Sequence, residues 1–239
     1  MFVWYETIIY IYRFLKLSIV YWKKKGLEND YNLKSCQAVG FADTRFTEAT
    51  EPQSFSDFHN FKSKESDHSY HRFYSNEERP SLSLAVFNKI KPYDVENLRF
   101  RYNLQHLASC IRMTYRNLFQ IKGVSQNVTV FYCYILPNSP NEIYISLAKE
   151  IETSFFQNDS KLIVLGDFNK EPKMIDNIFG NTLRKLGINQ LIESVTHDQG
   201  HILDHVYTNI DKDFVKCGIL DSITNTDHRP IFVSIRKNN

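Results

Sequence analysis

The stretch that decides the fold class is Leu162-Ile163-Val164-Leu165-Gly166-Asp167-Phe168-Asn169. A short continuous apolar run of this kind is typical of a strand that is buried on both faces. Asp and Asn directly after it favour a turn, because their side chains hydrogen-bond to the nearby backbone. The stretch therefore predicts a buried strand that brings Asp167 and Asn169 to one edge of a sheet.

Further strands are predicted from other short apolar runs along the chain. The strongest is 128–135, which is rich in β-branched and aromatic residues and is followed by Pro137. The remaining runs are 8–14, 38–41, 82–87, 202–207 and 231–235.

Helices are predicted between the strands. Ile143, Leu147, Ile151 and Phe155 recur at fourfold spacing, which gives one apolar helix face. Segments 102–119 and 181–192 are the other helix candidates. Strands interleaved with helices indicate an α/β protein. Periodicity alone does not choose between a Rossmann-like layer and a sandwich of two sheets with outer helices.

Composition indicates a folded protein of ordinary charge. The 239 residues are 42% apolar and 23% charged, which argues against wholesale disorder. The net charge of +2 neither demands nor excludes a polyanionic substrate, because a local basic patch can exist at low net charge. We expect a single domain over residues 1–239, with the polar segment 48–79 as a long surface excursion or an eroded part of the fold.

The four cysteines, Cys36, Cys110, Cys133 and Cys217, contain no CxxC pair, so neither a zinc knuckle nor a redox pair is predicted. Cys133 lies in an apolar run and is predicted to be a buried free thiol. A reducing, intracellular location is therefore expected, with the nucleus as one option.

The aromatic segment 1–22 is followed by Lys23, Lys24 and Lys25, somewhat as in a signal anchor. Its own charged residues interrupt the apolar run, which favours a buried first strand leading into a helix over a membrane span. No membrane association is expected.

Acidic, amide and phenol side chains stand at the ends of the predicted strands. These residues are Asp43 after the second strand, Tyr134 and Asn138 around the end of 128–135, Asp167 and Asn169, Asp204 in the strand 202–207, and Asp227 with His228 before the last strand.

This mixture of side chains suits the hydrolysis of phosphate esters. A hard cation such as Mg²⁺ offsets the negative charge of a phosphodiester and binds oxygen ligands, chiefly carboxylates. A further carboxylate can orient or deprotonate the attacking water. An imidazole can stabilise charge on the phosphate when a carboxylate fixes its tautomer.

Each residue also has a simpler interpretation. Asp167 and Asn169 suit a plain turn, Tyr134 suits a core position, and His228 suits a cap beside Pro230. A zinc site at His197, His201 and His205 would need one helix, but Gly200 and the predicted strand 202–207 argue against it.

Taken together, the clusters resemble the endonuclease/exonuclease/phosphatase superfamily, which includes deoxyribonuclease I, apurinic endonucleases and the nuclease domains of non-LTR retrotransposons. Gly166–Asn169 is similar to that family's Gly-Asp-x-Asn motif, and Thr226-Asp227-His228-Arg229-Pro230 to its Ser/Thr-Asp-His-x-Pro motif. The stretch 134–138 resembles the Tyr-Arg-Pro-Pro-Asn stretch of retroelement endonucleases.

The resemblance implies a four-layer α/β sandwich, in which two packed sheets are flanked by helices. It also implies a role for each cluster. Asp43 and Asp227 would bind Mg²⁺ or Mn²⁺, Asp167 would orient water, and Asn169 would hold the phosphate or the base. His228, backed by Asp204, would stabilise the phosphate, Tyr134 would contact the scissile group, and Asn138 and Arg229 would bind substrate.

The N-terminal half departs from the family pattern. Tyr12 stands about where the family has a metal-supporting Asn, and Asp43 replaces the usual Glu. The Gly-rich strand that normally follows is replaced by 81–87, and Ile135 stands in place of the Arg after the motif tyrosine. These differences predict a weakened metal site.

Three functions stay open at this point. The sequence favours a metal-dependent endonuclease of mobile-element type that acts as a monomer on nucleic acid, DNA more than RNA. The alternatives are a catalytically inactive remnant or binding module on the same scaffold, and a small-molecule phosphatase of the same superfamily.

Overall fold

The computed structural model describes residues 6–13, 37–43, 69–73, 84–101, 104–157, 159–221 and 226–236. Its strands are β1 Glu6–Arg13, β2 Ala38–Ala42, β3 Ser69–Phe73, β4 Leu84–Asn88, β5 Asp94–Asn97, β6 Ala108–Ile121, β7 Val124–Ile135, β8 Ser160–Asp167, β9 Asn189–Gln190, β10 Asp204–Thr208, β11 Val215–Ile219 and β12 Ile231–Arg236. Its helices are α1 Asn141–Gln157, α2 Pro172–Ile175, a π-helical turn Asp176–Gly180, and α3 Asn181–Lys185.

The strands form two six-stranded sheets. The first has the order β11-β12-β1-β2-β4-β3, and the second has the order β5-β6-β7-β8-β10-β9. The pairs β1–β2 and β7–β8 are parallel, and α1 is the crossover between β7 and β8. Two packed sheets with helices outside confirm the predicted α/β sandwich and remove the single-layer alternative.

Two apolar layers hold this architecture together. The layer between the sheets is built from alternate residues of both, such as Val233 and Ile235 facing Val130 and Leu165. The second layer lies on the other face of the second sheet, where Ile143, Leu147 and Ile151 of α1 are completely or almost completely buried. The fourfold spacing seen in the sequence is therefore the buried face of α1, as predicted.

The predicted helix 102–119 is wrong, because most of it belongs to the 14-residue strand β6. The pairing of β6 with β7 shifts register between Tyr115 and Phe119. Because of this shift, the apolar residues of β6 recur partly at strand spacing and partly at helix spacing. Asn117 has a φ of 52° within that shift. The bulge resets the alternation of side chains and so imitates helical periodicity.

The predicted helix 181–192 is right only at its start. Gly187, at a φ of 72°, ends α3, and the amides of Gly187 and Ile188 bond back to the carbonyls of Arg184 and Leu183. The short strand β9 follows. The same helical stretch begins earlier than predicted, with Pro172 at its first turn.

Other predictions fall partly outside the described residues. The first strand is present as β1, and the rest of segment 1–22 is not described. The segment 48–79, predicted as a surface excursion or an eroded part of the fold, contributes the edge strand β3 to the first sheet. Cys133 is a buried thiol, as predicted, and its Sγ lies 3.4 Å from that of Cys110. Within the described residues, no helix combines the length and hydropathy needed to span a membrane.

Gly166 is the position in β8 where the fold tolerates no side chain. A Cβ there would lie 1.9 Å from the carbonyl oxygen of Cys133 on β7, and the backbone φ is +153°. We expect Gly166→Ala to lower the unfolding free energy by about 3 kcal/mol, the upper end of the usual cost of overpacking, because a backbone atom cannot move aside as a side chain can. In thermal unfolding this corresponds to a loss of roughly 6–12 °C.

Gly187→Ala is the matched control, because its φ is +72° but nothing lies within 4 Å of the added Cβ. It carries only the backbone cost, about 1–2 kcal/mol. Equal losses for the two variants would show that the close approach at Gly166 is not the constraint.

Candidate active site

Tyr134, Asp167 and Asp204 lie side by side on three neighbouring strands of the second sheet. Asp167 ends β8, is in register with Tyr134 on β7, and faces Asp204 at the start of β10. Their exposed fractions are only 1%, 1% and 4%. Alternation puts Asp167 on the same sheet face as Leu165, which packs between the sheets. The three polar residues therefore close one end of the inter-sheet core.

Hydrogen bonds fix the turn after β8. The backbone N–H of Asn169 donates to Oδ1 of Asp167 at 2.9 Å, and its side-chain amide donates to Oδ2 at 3.2 Å and to the Ile135 carbonyl at 2.7 Å. The Tyr144 hydroxyl donates to the Phe168 carbonyl at 2.6 Å. Burial, and to a lesser extent the charge of Asp167, raises the pKa of Tyr144, which keeps this donor protonated.

His228 meets Asp204 in the interior. Nδ1 of His228 lies 2.8 Å from Oδ2 of Asp204, and the His228 side chain is 1% exposed. This is the histidine–carboxylate contact that the motifs predict. The carboxylate can only accept, so the proton resides on Nδ1 and the tautomer is set. Each of Asp167, Asp204 and His228 also has one atom that could bind a metal ion, and these three atoms lie within 4.8 Å of one another.

A short loop holds these residues from behind. The buried hydroxyl of Thr196 accepts hydrogen bonds from the amides of Leu203 and Asp204, at 2.9 Å and 3.0 Å. Its carbonyl accepts from the amide of Arg229 at 2.7 Å. Thr196 thus ties the strand that carries Asp204 to the loop that carries His228.

Asp227 lies at the rim of this cluster. Its side chain is 45% exposed, and its Oδ2 lies 3.3 Å from Nε2 of His197. Arg229 and Asn138 are exposed, and Asn138 has a φ of 58° three residues after β7 ends. The exposed side chains of Arg229 and Asn138 remain predicted substrate contacts.

Asp43 is supplied by the first sheet. It follows β2 directly, has a φ of 53°, and is 1% exposed. The end of β1 pairs with the start of β12 on one side and with the end of β2 on the other. Because His228 precedes β12 and contacts Asp204, Asp43 lies at the same end of the sandwich as the cluster. β2 and β12 are two strand spacings apart, roughly 10 Å.

Tyr12 is on β1, between β2 and β12, and is in register with Phe41. The register places residue 12 at the end of the sheet where Asp43 and the loop before β12 meet. The family resemblance predicts a metal-supporting Asn at about this position.

The three histidines of the zinc alternative do not share a helix. His197 and His201 lie on either side of a tight turn, and His205 is inside β10. The His205 ring stacks on Phe168 at 4.6 Å, and its Nδ1 lies 3.1 Å from the Tyr207 hydroxyl. Burial lowers the pKa of His205 to about 4, so it is a neutral core residue at neutral pH.

We expect the burial of neutral His205 to make the free energy of unfolding fall at acidic pH. Its folded pKa of about 4 lies below the ordinary 6.5, so the unfolded chain binds the proton first as the pH falls. We expect up to about 3 kcal/mol of unfolding free energy to be lost between those two pH values.

The check is urea unfolding across that range for the wild type and for His205→Phe, which keeps the stacking on Phe168. The variant should lose less stability on acidification than the wild type. Parallel losses would mean that other groups account for the pH dependence.

The buried carboxylates at this end of the sandwich fit a site with a hard divalent cation beside them. Asp43, Asp167 and Asp204 are carboxylates buried at one end of the sandwich, where like charges are costly unless they are compensated. Carboxylate oxygens are the ligands that Mg²⁺ and Mn²⁺ prefer. A site rich in thiolates would have suited zinc instead.

Solved structures share this architecture at low sequence identity. The endonuclease domain of TRAS1, a telomere-specific non-LTR retrotransposon, matches with a TM-score of 0.62 and 14% identity, over 98% of this chain and 100% of that domain. An endonuclease/exonuclease/phosphatase family protein from Leptotrichia buccalis matches at 0.64 and 17%, over 96% and 99%. The AP endonuclease from Leishmania major matches at 0.68 and 10%, over 98% and 88%.

No protein-family model and no curated protein matches the sequence. The chain nevertheless has the fold of the endonuclease/exonuclease/phosphatase, or deoxyribonuclease I-like, proteins. At the level of the fold, the resemblance drawn from the motifs is confirmed.

Thr196 and His197 are site residues that sequence reasoning missed. No motif marks them, and His197 attracted attention only as part of the rejected zinc pattern. The available signal was a polar pair between Val195 and Gly200, shortly before the Asp204 strand. Such a loop between two predicted site strands is a good place to look for supporting side chains.

Proposed function

We propose that this protein is a metal-dependent phosphodiester hydrolase that cuts nucleic acid internally. The observation that carries the proposal is the cluster of Asp167, Asp204 and His228 at one end of the sandwich. One nitrogen or carboxylate oxygen from each of them lies within 4.8 Å of the other two. An acid, an orienting acid and an imidazole at this spacing supply a base and a charge-stabilising group to one small substrate centre.

Asp167 acts as the group that orients water and accepts its proton. Its two oxygens are held by the amide and side chain of Asn169, so the carboxylate is pre-oriented before substrate binds. Asn169 is in turn anchored to the Ile135 carbonyl. This rigidity favours a fixed angle of attack on phosphorus.

His228 stabilises the phosphate. Nδ1 of His228 contacts Asp204, so we assign the contact with a phosphate oxygen to the other ring nitrogen, Nε2. When Nε2 carries a proton, it donates a hydrogen bond to the oxygen on which charge grows, and Asp204 compensates the positive charge of the ring. Asp204 therefore acts through His228 rather than on the substrate.

Asp43 and Asp227 are the residues we assign to the cation. A bound Mg²⁺ or Mn²⁺ would neutralise charge on the scissile phosphate and its leaving oxygen. Asp43 follows β2 and Asp227 lies in the loop before β12, so the first sheet supplies both carboxylates. Tyr134, beside Asp167, would contact the scissile group.

DNA is the proposed substrate, bound by a single copy of the chain. The exposed Arg229 and Asn138 flank the cluster and offer a cationic group and an amide to the backbone of a polyanion. The fold shared with a retrotransposon endonuclease domain and an AP endonuclease supports nucleic acid over a small phosphorylated molecule.

The substrate class is tested with end-labelled DNA duplex, RNA duplex and an inositol phosphate, each with Mg²⁺. We expect cleavage of the DNA, slower cleavage of RNA and no phosphate release from the inositol compound. Release of inorganic phosphate from inositol phosphate without DNA cleavage would favour the phosphatase alternative.

Weak activity is expected because of Tyr12 and Asp43. By analogy with the loss of residues that support a ligand, metal affinity should be reduced roughly 10–100-fold. The double variant Tyr12→Asn with Asp43→Glu should therefore cleave at lower Mg²⁺ concentrations than the wild type. The measurement is the cleavage rate as a function of Mg²⁺ and of Mn²⁺.

The alternative function is a non-catalytic binding module on the same scaffold, and the departures at residues 12 and 43 are what favour it. If the double variant stays inactive at high Mn²⁺, the binding module becomes the better description. Tyr12→Phe with wild-type Asp43 is the matched control, because it changes the phenol without adding an amide.

A further inference from the structure

His197 is a buried histidine next to the proposed cation ligand Asp227. Its side chain is 9% exposed, and its Nε2 lies 3.3 Å from the Asp227 carboxylate. A backbone bridge pairs His197 with His228, and the two rings meet edge to face with centroids 4.6 Å apart. The amide of Asp198 also donates to the Asp227 carbonyl at 2.9 Å. The loop of His197 is therefore docked on the loop of Asp227.

The tautomer of His197 follows from its second nitrogen. The backbone N–H of Gln199 donates to Nδ1 at 3.1 Å, so Nδ1 carries a lone pair. In a neutral imidazole the proton then resides on Nε2, the nitrogen that faces Asp227. A backbone amide sets this tautomer, so no rotation of another side chain can reverse it.

We infer that His197 is a positioning residue that holds the half-exposed carboxylate of Asp227 in place for the cation. This inference rests on the proposed function, because it assigns His197 a role through Asp227. A carboxylate at the rim has rotamer freedom that a buried one lacks. The N–H of His197 restricts that freedom, as supporting hydrogen bonds do for the ligands of other metal sites.

A direct metal contact by His197 is the competing assignment. One possible ligand atom from each of His197, Asp227 and His228 lies within 4.8 Å of the other two. Metal binding at Nε2, however, needs a lone pair there, whereas the Gln199 amide keeps the proton on that nitrogen. The contact between His197 and Asp227 is therefore better explained as donor to carboxylate.

The test measures Mn²⁺ binding by titration, followed by electron paramagnetic resonance, in parallel with DNA cleavage. The variants are His197→Phe, which keeps a ring but removes the N–H, and His197→Gln, whose amide can reach the position of Nε2. Asp227→Asn and the double variant His197→Phe/Asp227→Asn complete a cycle. His201→Gln is the control, because this half-exposed histidine of the same loop contacts Glu171 instead.

We expect His197→Phe to weaken Mn²⁺ binding by roughly 10–100-fold. His197→Gln should restore most of that affinity, and His201→Gln should leave it unchanged. In the Asp227→Asn background, His197→Phe should have no further effect, because its effect passes through the carboxylate. At saturating Mn²⁺ the cleavage rate of His197→Phe should approach that of the wild type.

Unchanged Mn²⁺ affinity in His197→Phe, or a full additional loss in the double variant, would overturn the inference. Equal losses in His197→Phe and His197→Gln, together with tight Zn²⁺ binding by the wild type, would establish the metal contact instead. If the wild type binds Mn²⁺ but cleaves no DNA, the proposed function is wrong. The Mn²⁺ affinities of the His197 variants then still decide whether His197 positions Asp227. A wild type that binds no Mn²⁺ contradicts both.

Discussion

Asp167→Asn is expected to lower the rate of DNA cleavage by roughly 10²–10⁴-fold, the usual contribution of a positioned general base. The substitution keeps the shape of the side chain but removes its ability to accept a proton from water. The fold should survive, because an amide oxygen can still accept from the backbone N–H of Asn169. The measurement is the initial rate at saturating Mg²⁺, with circular dichroism to verify folding.

Asp159→Asn is the matched control for that variant. It removes one carboxylate from an exposed position just before β8 and should not change the rate. Asp167→Asn activity within a few-fold of the wild type would exclude Asp167 as the base.

His228→Gln carries the second large effect. Loss of the imidazole removes the donor that meets the phosphate, and losing one such donor typically costs roughly 10²–10³-fold in rate. Asp204→Asn should give a comparable loss, because an amide at this place no longer demands the tautomer with the proton on Nδ1. Both are measured as cleavage rates at saturating Mg²⁺.

The pair should behave as one unit. The double variant Asp204→Asn/His228→Gln is expected to be no worse than His228→Gln alone, because Asp204 acts through the ring. Full additivity would mean that Asp204 has a separate role, such as binding the cation directly.

The strands that carry the site could be predicted because they are covered on both faces and are therefore almost entirely apolar. β7, β8 and β10 lie inside the second sheet, covered on both faces, so their apolar runs are short and continuous. The same covering made β6 hard to predict. Its buried residues face two different layers, and the bulge around Asn117 turned their spacing into a helix-like one.

Within the site, the residues at strand ends could be predicted and the residues of the supporting loop could not. Asp167 and Asp204 are placed by strand register, which a sequence pattern reveals. Thr196 and His197 reach the site through a backbone bridge to residues some thirty positions away, and no local pattern encodes that pairing. Asp43 was predicted from its motif, but the way it joins the other residues depends on two sheets packing together.

Nicking of a supercoiled plasmid by the purified protein tests the central claim most directly. We predict slow conversion to the open circle with Mg²⁺ or Mn²⁺, none with EDTA, and none for Asp167→Ala in either metal. Equal nicking by the wild type and Asp167→Ala would show that the cleavage does not come from this site and would contradict the account.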